Sequence, residues 1–396
     1  MIEVAQRPGI GGLRSRTEAW EPLALLRRLD WILLLAAFAL VAFGLWVVAG
    51  ITRFDVPGDQ SYYVVRQGIA AVAGLIGLVV AVLIPVDVAR RHWRLLYGAT
   101  LGLMIVVFAA AETVRGSKRW IDLGVIQFQP SELGKVLFVL AIAGFVVGKA
   151  HRVSRWRTIL PAIGLGSAPI LLVFLQPDLG TALVYAAAFF AVLFFAGVRW
   201  RQLLVLLVVA TVGVLAVLWI LPKAGFQVLK PYQTARLEGF TNPGSDPGGV
   251  TYNLHQSITA VGSGRVTGRG VVAASQTRLD YLPAHATDFA FASLAEQRGF
   301  VGSAILLLLY LLVVWRGLRI VTLAGDLYGA VVAGGLVFAF LFQVFVNVGM
   351  TMGVAPVTGI PLPFVAVGGS SLVSNLILVG VLQGIHARGS SPRNLP

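Results

Sequence analysis

Runs of about twenty mostly apolar residues recur along the chain, each separated from the next by a polar or Gly- and Pro-containing connection. A helix needs about 20 such residues to cross the ~30 Å hydrocarbon layer of a bilayer. The pattern predicts ten spans, at residues 31–50, 64–84, 93–111, 131–148, 158–175, 179–197, 202–221, 288–315, 328–350 and 367–386. The expected fold class is therefore an all-α integral membrane protein with about ten transmembrane helices. Residues 1–29 read as a cytoplasmic N-terminal tail, 30–386 as one membrane domain and 387–396 as a cytoplasmic C-terminal tail. No small-residue cleavage site follows the first run, which reads as an uncleaved anchor. Between the seventh and eighth spans lies a Gly- and Pro-rich extracytoplasmic loop, residues 223–286, long enough to be functional or disordered rather than a simple connection.

Composition supports this. The chain is 57% hydrophobic and 12% charged, against roughly 25% charged for a soluble domain, which excludes water as its main solvent. Cysteine is absent, so disulfides and thiolate metal sites are excluded. The net charge of +14 raises the question of nucleic acid, but its distribution answers otherwise. In the ten-span topology one face carries 18 Lys and Arg against 6 Asp and Glu, and the other 13 against 11. The basic excess is topological, marking the cytoplasmic face, and no nucleic-acid partner is expected.

Few ionisable residues lie at membrane depth, and those are functional candidates by default. Glu132 and Lys135 stand three apart on the fourth span, where they can pair; such a pair could equally pin a helix. Asp178 opens the sixth span, where it suits the helix dipole whether or not it meets a substrate. Lys118 and Arg119, with Arg115, form a basic cluster beside Trp120 that could hold a phosphate or lipid headgroup. Asp288 follows the long loop at the start of the eighth span and is the leading single candidate, with helix capping by Thr287 or Asp288 as the alternative. His285 has no second His or Cys at ligand-like spacing. The run from Gly262 to Gly270 resembles a phosphate loop but lacks the Gly-Lys-Ser/Thr context, so a nucleotide site is not expected. Gly359 to Phe364 and Gly368-Gly369-Ser370-Ser371 expose backbone before the tenth span and need a protein-lined or watery environment.

Taken in order, Gly116-Ser117-Lys118-Arg119-Trp120-Ile121, Gln129-Pro130-Ser131-Glu132-Leu133-Gly134-Lys135 and Gln176-Pro177-Asp178-Leu179-Gly180 resemble the motifs of the SEDS family of RodA and FtsW. So do the stretch from Tyr252 through Gln256-Ser257 to Gly264, Leu282-Pro283 with Thr287-Asp288-Phe289, and Pro361-Leu362-Pro363-Phe364 with Gly368 to Ser371. Ser245-Asp246-Pro247 and Val346-Asn347-Val348-Gly349-Met350 are more similar to the RodA branch. Departures from the family pattern are Ala284 for a Glu, Ala286 for a His, Ala366-Val367 for Ser-Tyr, and Glu296-Gln297 for Glu-Glu.

The resemblance implies a peptidoglycan glycosyltransferase in the bacterial cytoplasmic membrane. It would polymerise lipid II for elongation and shape, beside a class B penicillin-binding protein as transpeptidase partner. Asp288, Lys135 and Glu132 are then the expected catalytic residues, and Arg119, Lys118, Asp178, Ser370, Ser371 and Gln256 the expected substrate contacts. Asp288 would act as general base. Cationic groups, or a divalent cation (Mg or Mn) held by Asp288 and Glu132, would stabilise the departing diphosphate. A lipid II flippase, or a scaffold that activates a transpeptidase, are the alternatives; no organic cofactor is expected.

Overall fold

A computed structural model describes residues 27–110, 112–114, 117–122, 124, 127–220 and 250–389. The helices are α1 (Trp31–Ile51), α2 (Tyr62–Leu83), the short α3 (Val86–Arg91), α4 (Trp93–Ala110), α5 (Pro130–Val147), α6 (Trp156–Leu175), α7 (Leu179–Phe195) and α8 (Trp200–Leu215). After the long loop come α9 (Val250–Ser263), the one-turn α10 (Gly270–Ala273) and α11 (Ser275–Arg278), then α12 (Ala290–Leu323), α13 (Leu327–Thr351) and α14 (Gly369–Gly389). Among the described residues, seven helices are long and apolar enough to cross a bilayer, and three shorter apolar ones coincide with the remaining predicted runs.

The bundle is apolar outside as well as in, unlike a soluble protein. Leu35, Ile76, Leu308 and Phe345 are each more than 60% exposed, whereas α5 is almost wholly enclosed, with α4, α7, α13 and α14 packed around it. In lipid the exposed apolar rim costs nothing, and close packing of α5 holds the bundle together by dispersion and polar contacts instead. α8 buries only Leu203 and faces lipid over the rest of its surface.

Polar contacts gather at the two ends of the bundle. At the basic end Arg316 pairs with Asp30 (Nε to Oδ2, 2.9 Å), Gln383 brackets the Asp30 main chain, and Gln202 donates to Ser154 O. At the other end His285 meets Asp55, Arg66 reaches Gly124 O and Ser370 reaches Gln127 O.

The all-α membrane fold is as expected, with three short strands, β1 (Glu112–Val114), β2 (Ser117–Asp122) and β3 (Gln127–Phe128), adding a small antiparallel sheet between α4 and α5. Three boundaries differ from expectation. The eighth span begins at Ala290, not Asp288, and passes beyond Trp315 to Leu323; Arg316 therefore lies within the helix, buried against Asp30, the N-cap of α1, at the basic end. The tenth starts at Gly369, because residues 359–368 stay non-helical, and it ends at Gly389 rather than 386. The loop is structured over 250–286, while residues 221–249, with Ser245-Asp246-Pro247, lie outside the described residues, as do the tails 1–26 and 390–396 and Arg115.

α12 is broken at Gly299 (φ 64°, ψ −161°), a conformation essentially reserved for glycine. The break removes helical partners, and the Gly262 to Gly270 run supplies replacements. Phe300 N donates to Arg265 O (2.8 Å), Val301 N to Val266 O (3.0 Å), and Arg269 N to Glu296 O (2.9 Å). The segment that resembles a phosphate loop is thus a backbone plug for a discontinuous helix, as irregular backbone at membrane depth requires.

Candidate active site

α5 begins at Pro130, a residue suited to a first helical turn, and this places Glu132 and Lys135 on one face, both buried. Lys135 Nζ donates to Glu132 Oε2 (2.9 Å) and to Gln343 Oε1 of α13 (2.8 Å). An ammonium has three donors, so one N–H remains beyond these two bonds. Gln343 passes the connection on by donating to Pro361 O (2.9 Å). One turn further along α13, Asn347 Nδ2 donates both to Ile360 O (2.7 Å) and to Asp288 O (3.0 Å). The main chain of Asp288 is thereby fixed one helical turn from the amide that holds Lys135. Asp288 is half-buried and does not cap α12, whose N-cap is Phe289 without a side-chain bond.

A second group lies around the start of α5. Asp178 caps α7 through Thr181 N (3.1 Å), accepts from Gln129 Nε2 (3.1 Å) and pairs with Arg119 Nη1 (3.6 Å). Arg119 also donates to Pro177 O, while its Nε is buried without a hydrogen-bond partner. Ser370 Oγ accepts from Gln129 N and donates to Gln127 O, both at 2.8 Å. It fastens the non-helical 359–368 segment to the entry of α5. Ser371 is turned inward to Asn375 Nδ2 (2.7 Å to its carbonyl). Lys118 lies on β2, its side chain outside the described residues. Gln256 is half-buried on α9, whose next residue, Ser257, donates to Thr351 O (2.8 Å) at the end of α13.

The structure therefore joins Glu132 to Lys135, and Arg119 to Asp178 and, through Gln129, to Ser370. It connects Asp288 to the first group through main chain and amides. The sequence reading missed Gln343, Asn347, Gln129 and Gln67, the last of which bonds Ala366 O and Gly368 N at 3.2 Å each. The available signal was a neutral amide within an otherwise apolar span. As for a metal, no group of three or more His, Asp or Glu arranged to hold an ion is found among the described residues, and a cation on Glu132 would compete with Lys135. The donor set does not fit a divalent ion, and no chemical step is routed through one.

His285, three residues before Asp288, is held at the end of the bundle opposite the basic one. Its Nε2 lies 3.1 Å from Asp55 Oδ1 and its Nδ1 3.4 Å from Asp280 Oδ1. Burial alone would lower its pKa, but the hydrogen bond and charge of Asp55, with Asp280 adding, outweigh that and raise it above the ordinary value. A hollow of about 470 Å³ on the same face, lined by Arg53, Asp59, Gln60 and Ser61, lies between α1 and α2 and not over the Glu132–Lys135 pair.

Fold and site together define a polytopic membrane protein with a buried ion pair and an acidic segment gathered at one face. The chain matches the cell cycle protein family of FtsW, RodA and SpoVE over residues 27–391, and it belongs to that family. It is 37% identical over 356 residues to the peptidoglycan glycosyltransferase MrdB of Escherichia coli K12, covering 90% of this chain and 92% of that one. To the probable peptidoglycan glycosyltransferase FtsW of Halothiobacillus neapolitanus it is 36% identical over 374 residues, covering 91% and 86%. Among solved structures, it resembles a chain from a peptidoglycan synthase complex that coordinates polymerization and crosslinking, with TM-score 0.76, 31% identity and 92% and 99% coverage. It also resembles the rod shape determining protein RodA of Thermus thermophilus, with TM-score 0.64, 28% identity and 92% and 98% coverage.

Proposed function

We propose that the chain is a peptidoglycan glycosyltransferase that polymerises lipid II at the outer face of the cytoplasmic membrane, next to a class B penicillin-binding protein. Family membership and the names of its relatives support the reaction class. The likeness to a chain from a peptidoglycan synthase complex supports the partner. Within the molecule, the observation that carries the reading is that Glu132, Lys135 and Gln343 are joined by hydrogen bonds while Asn347, one turn along α13 from Gln343, holds the main chain of Asp288.

The reaction joins a sugar hydroxyl to an anomeric carbon whose leaving group is a polyprenyl diphosphate. The Asp288 carboxylate takes the hydroxyl proton as the new C–O bond forms, and the old C–O bond to phosphate breaks with inversion. The diphosphate leaves as an anion and needs positive charge rather than an acid. Lys135, with its remaining N–H, and Arg119 supply it. Glu132 and Gln343 orient the ammonium. Asp178, its oxygens directed at Arg119, Gln129 and Thr181, acts on substrate by positioning Arg119.

Asp288→Asn tests this in purified protein in detergent, where no membrane asymmetry exists and a transporter would have nothing to do. Loss of a general base is expected to cut lipid II polymerisation by about 10²–10⁴-fold with the melting temperature unchanged. Undiminished glycan strands from the folded variant would remove Asp288 from the mechanism.

A further inference from the structure

At the basic end of the bundle, α3 crosses the foot of α5 and leaves a hollow of about 380 Å³ lined by Asp87, Arg90, Arg91, Trp93, Gly144 and Gly148. That size falls within the range of small-ligand pockets, roughly 300–1,000 Å³. Gly144 permits the close approach that shapes it, since a Cβ there would sit 2.6 Å from Trp93 Cβ. The rim is a stack of rings and cations. Trp93 lies 5.4 Å from the Phe145 ring, the Arg94 guanidinium is 5.4 Å over Trp93, and Lys149 Nζ is 4.3 Å over Phe145.

Arg90 and Arg91 thus line the hollow, with Arg94 stacked over its Trp93 wall and Lys149 following its Gly148 in the chain. The opposing carboxylates are Asp87 in its lining and Asp326, 3.9 Å from Arg90, so positive charge is in excess. Arg90 and Arg91 are exposed, and a tryptophan flanks them, the composition of a site at headgroup level. The charge distribution of the whole chain puts this end in the cytoplasm. None of these residues takes part in the proposed transfer reaction at the other face.

We propose that this hollow binds the phosphate of an anionic phospholipid of the cytoplasmic leaflet, between the paired guanidinium groups of α3 and the foot of α5. Guanidinium forks suit a phosphodiester, basic pockets between helices on the cytoplasmic side suit anionic headgroups, and a zwitterionic lipid would bring an ammonium into an already cationic rim. Free phosphate shares the anion chemistry but lacks the chains that would hold it at the bilayer edge.

Native mass spectrometry of the full chain, exchanged into micelles containing phosphatidylglycerol or phosphatidylcholine, tests the site. Wild type is expected to retain at least one phosphatidylglycerol more than Arg90→Gln/Arg91→Gln, with phosphatidylcholine retained equally. Equal phosphatidylglycerol retention by both would overturn the proposal. Displacement of the lipid by millimolar inorganic phosphate would overturn the lipid source; none is expected. A second reading does not depend on the folding of the arginine variant. Brominated phosphatidylglycerol should quench the Trp93 fluorescence, taken as the difference between wild type and Trp93→Phe, more than brominated phosphatidylcholine. Equal quenching by the two lipids counts against the site.

Discussion

Lys135→Met removes the ammonium from beside a carboxylate that is only 1% exposed. Glu132 Oε2 loses a partner at 2.9 Å and Gln343 Oε1 a donor at 2.8 Å. Breaking a buried pair from one side costs about 3–5 kcal/mol, because the surviving charge is stranded away from water. The lost donor to the amide adds about 1 kcal/mol. A sum of about 4–6 kcal/mol is a large part of the 5–15 kcal/mol that holds a typical domain. An inactive single variant therefore says little about chemistry. Adding Glu132→Gln removes the stranded charge and leaves neutral groups with about 1–3 kcal/mol of unmet hydrogen bonding. The double variant is expected to regain most of the lost melting temperature, read by thermal denaturation in the detergent used for lipid II polymerisation. Its rate should stay down by about 10²-fold or more, the usual cost of losing one preorganised electrostatic group. A double variant that both melts and polymerises like wild type would refute the leaving-group role and reduce the pair to a brace.

Gly299→Ala should destabilise the chain by at least about 1–3 kcal/mol, since it forces a side chain into a glycine-only conformation with its Cβ 2.4 Å from Gly268 N. Limited proteolysis should then cut within 264–270, and resistance equal to wild type would contradict the plug. Asn347→Leu removes the donor to Asp288 O and Ile360 O and should lower kcat with little change in KM at constant fold; a KM effect alone would argue against positioning. The raised pKa of His285 makes its contribution fully present below about pH 6.5, the unperturbed value, and lost as pH rises through the raised one. Hydrogen exchange over residues 280–289 should accelerate across that interval, and His285→Gln should flatten the profile; a flat wild-type profile would sink the assignment.

Much of this was legible because the bilayer imposes a length and a charge rule. The apolar runs could be read from hydropathy alone, and Glu132 with Lys135 stood out as ions in an apolar run. The errors share one cause, a single chain showing residue types but not their partners. Arg316 looked like the end of a span because a lone arginine belongs at an interface, yet Asp30, 286 residues earlier, draws it inside. Ser370 stood out only within an exposed backbone segment, and the partners of its hydroxyl, Gln129 and Gln127, lie 241 and 243 residues earlier where no local pattern shows them. The glycines of 262–270 could be set aside as a phosphate site from sequence, but their actual partner could not be read there, because nothing in their own vicinity shows that Gly299, some thirty residues on, breaks a helix against them.

Neutral amides carry most of the bracing in this bundle, and that bears on what the outer ion pair is for. Residues 359–368 are irregular at membrane depth and need partners for their backbone. Gln67, Gln343, Asn347 and Tyr310 supply them, from α2, α13 and α12, without any charge. A charge at the centre of a span costs about 2.5–3.5 kcal/mol even on the mildest scale, so the pattern is what a purely structural solution would use. The Asp30–Arg316 pair shows that an ion pair can still serve structure: it is closed by Gln383 on both main-chain groups of Asp30, far from Asp288. Lys135 differs in its surroundings, because its amide partner stands one turn from the amide that fixes Asp288. The contrast has a measurable form. Asp30→Asn/Arg316→Met should lower the melting temperature but leave the polymerisation rate per folded molecule intact, whereas Glu132→Gln/Lys135→Met should lower that rate far more than any loss of folded protein explains. If both double variants lose rate only in proportion to folded protein, the outer pair is a brace as well, and the chemistry must be assigned to Asp288 and Arg119 without it.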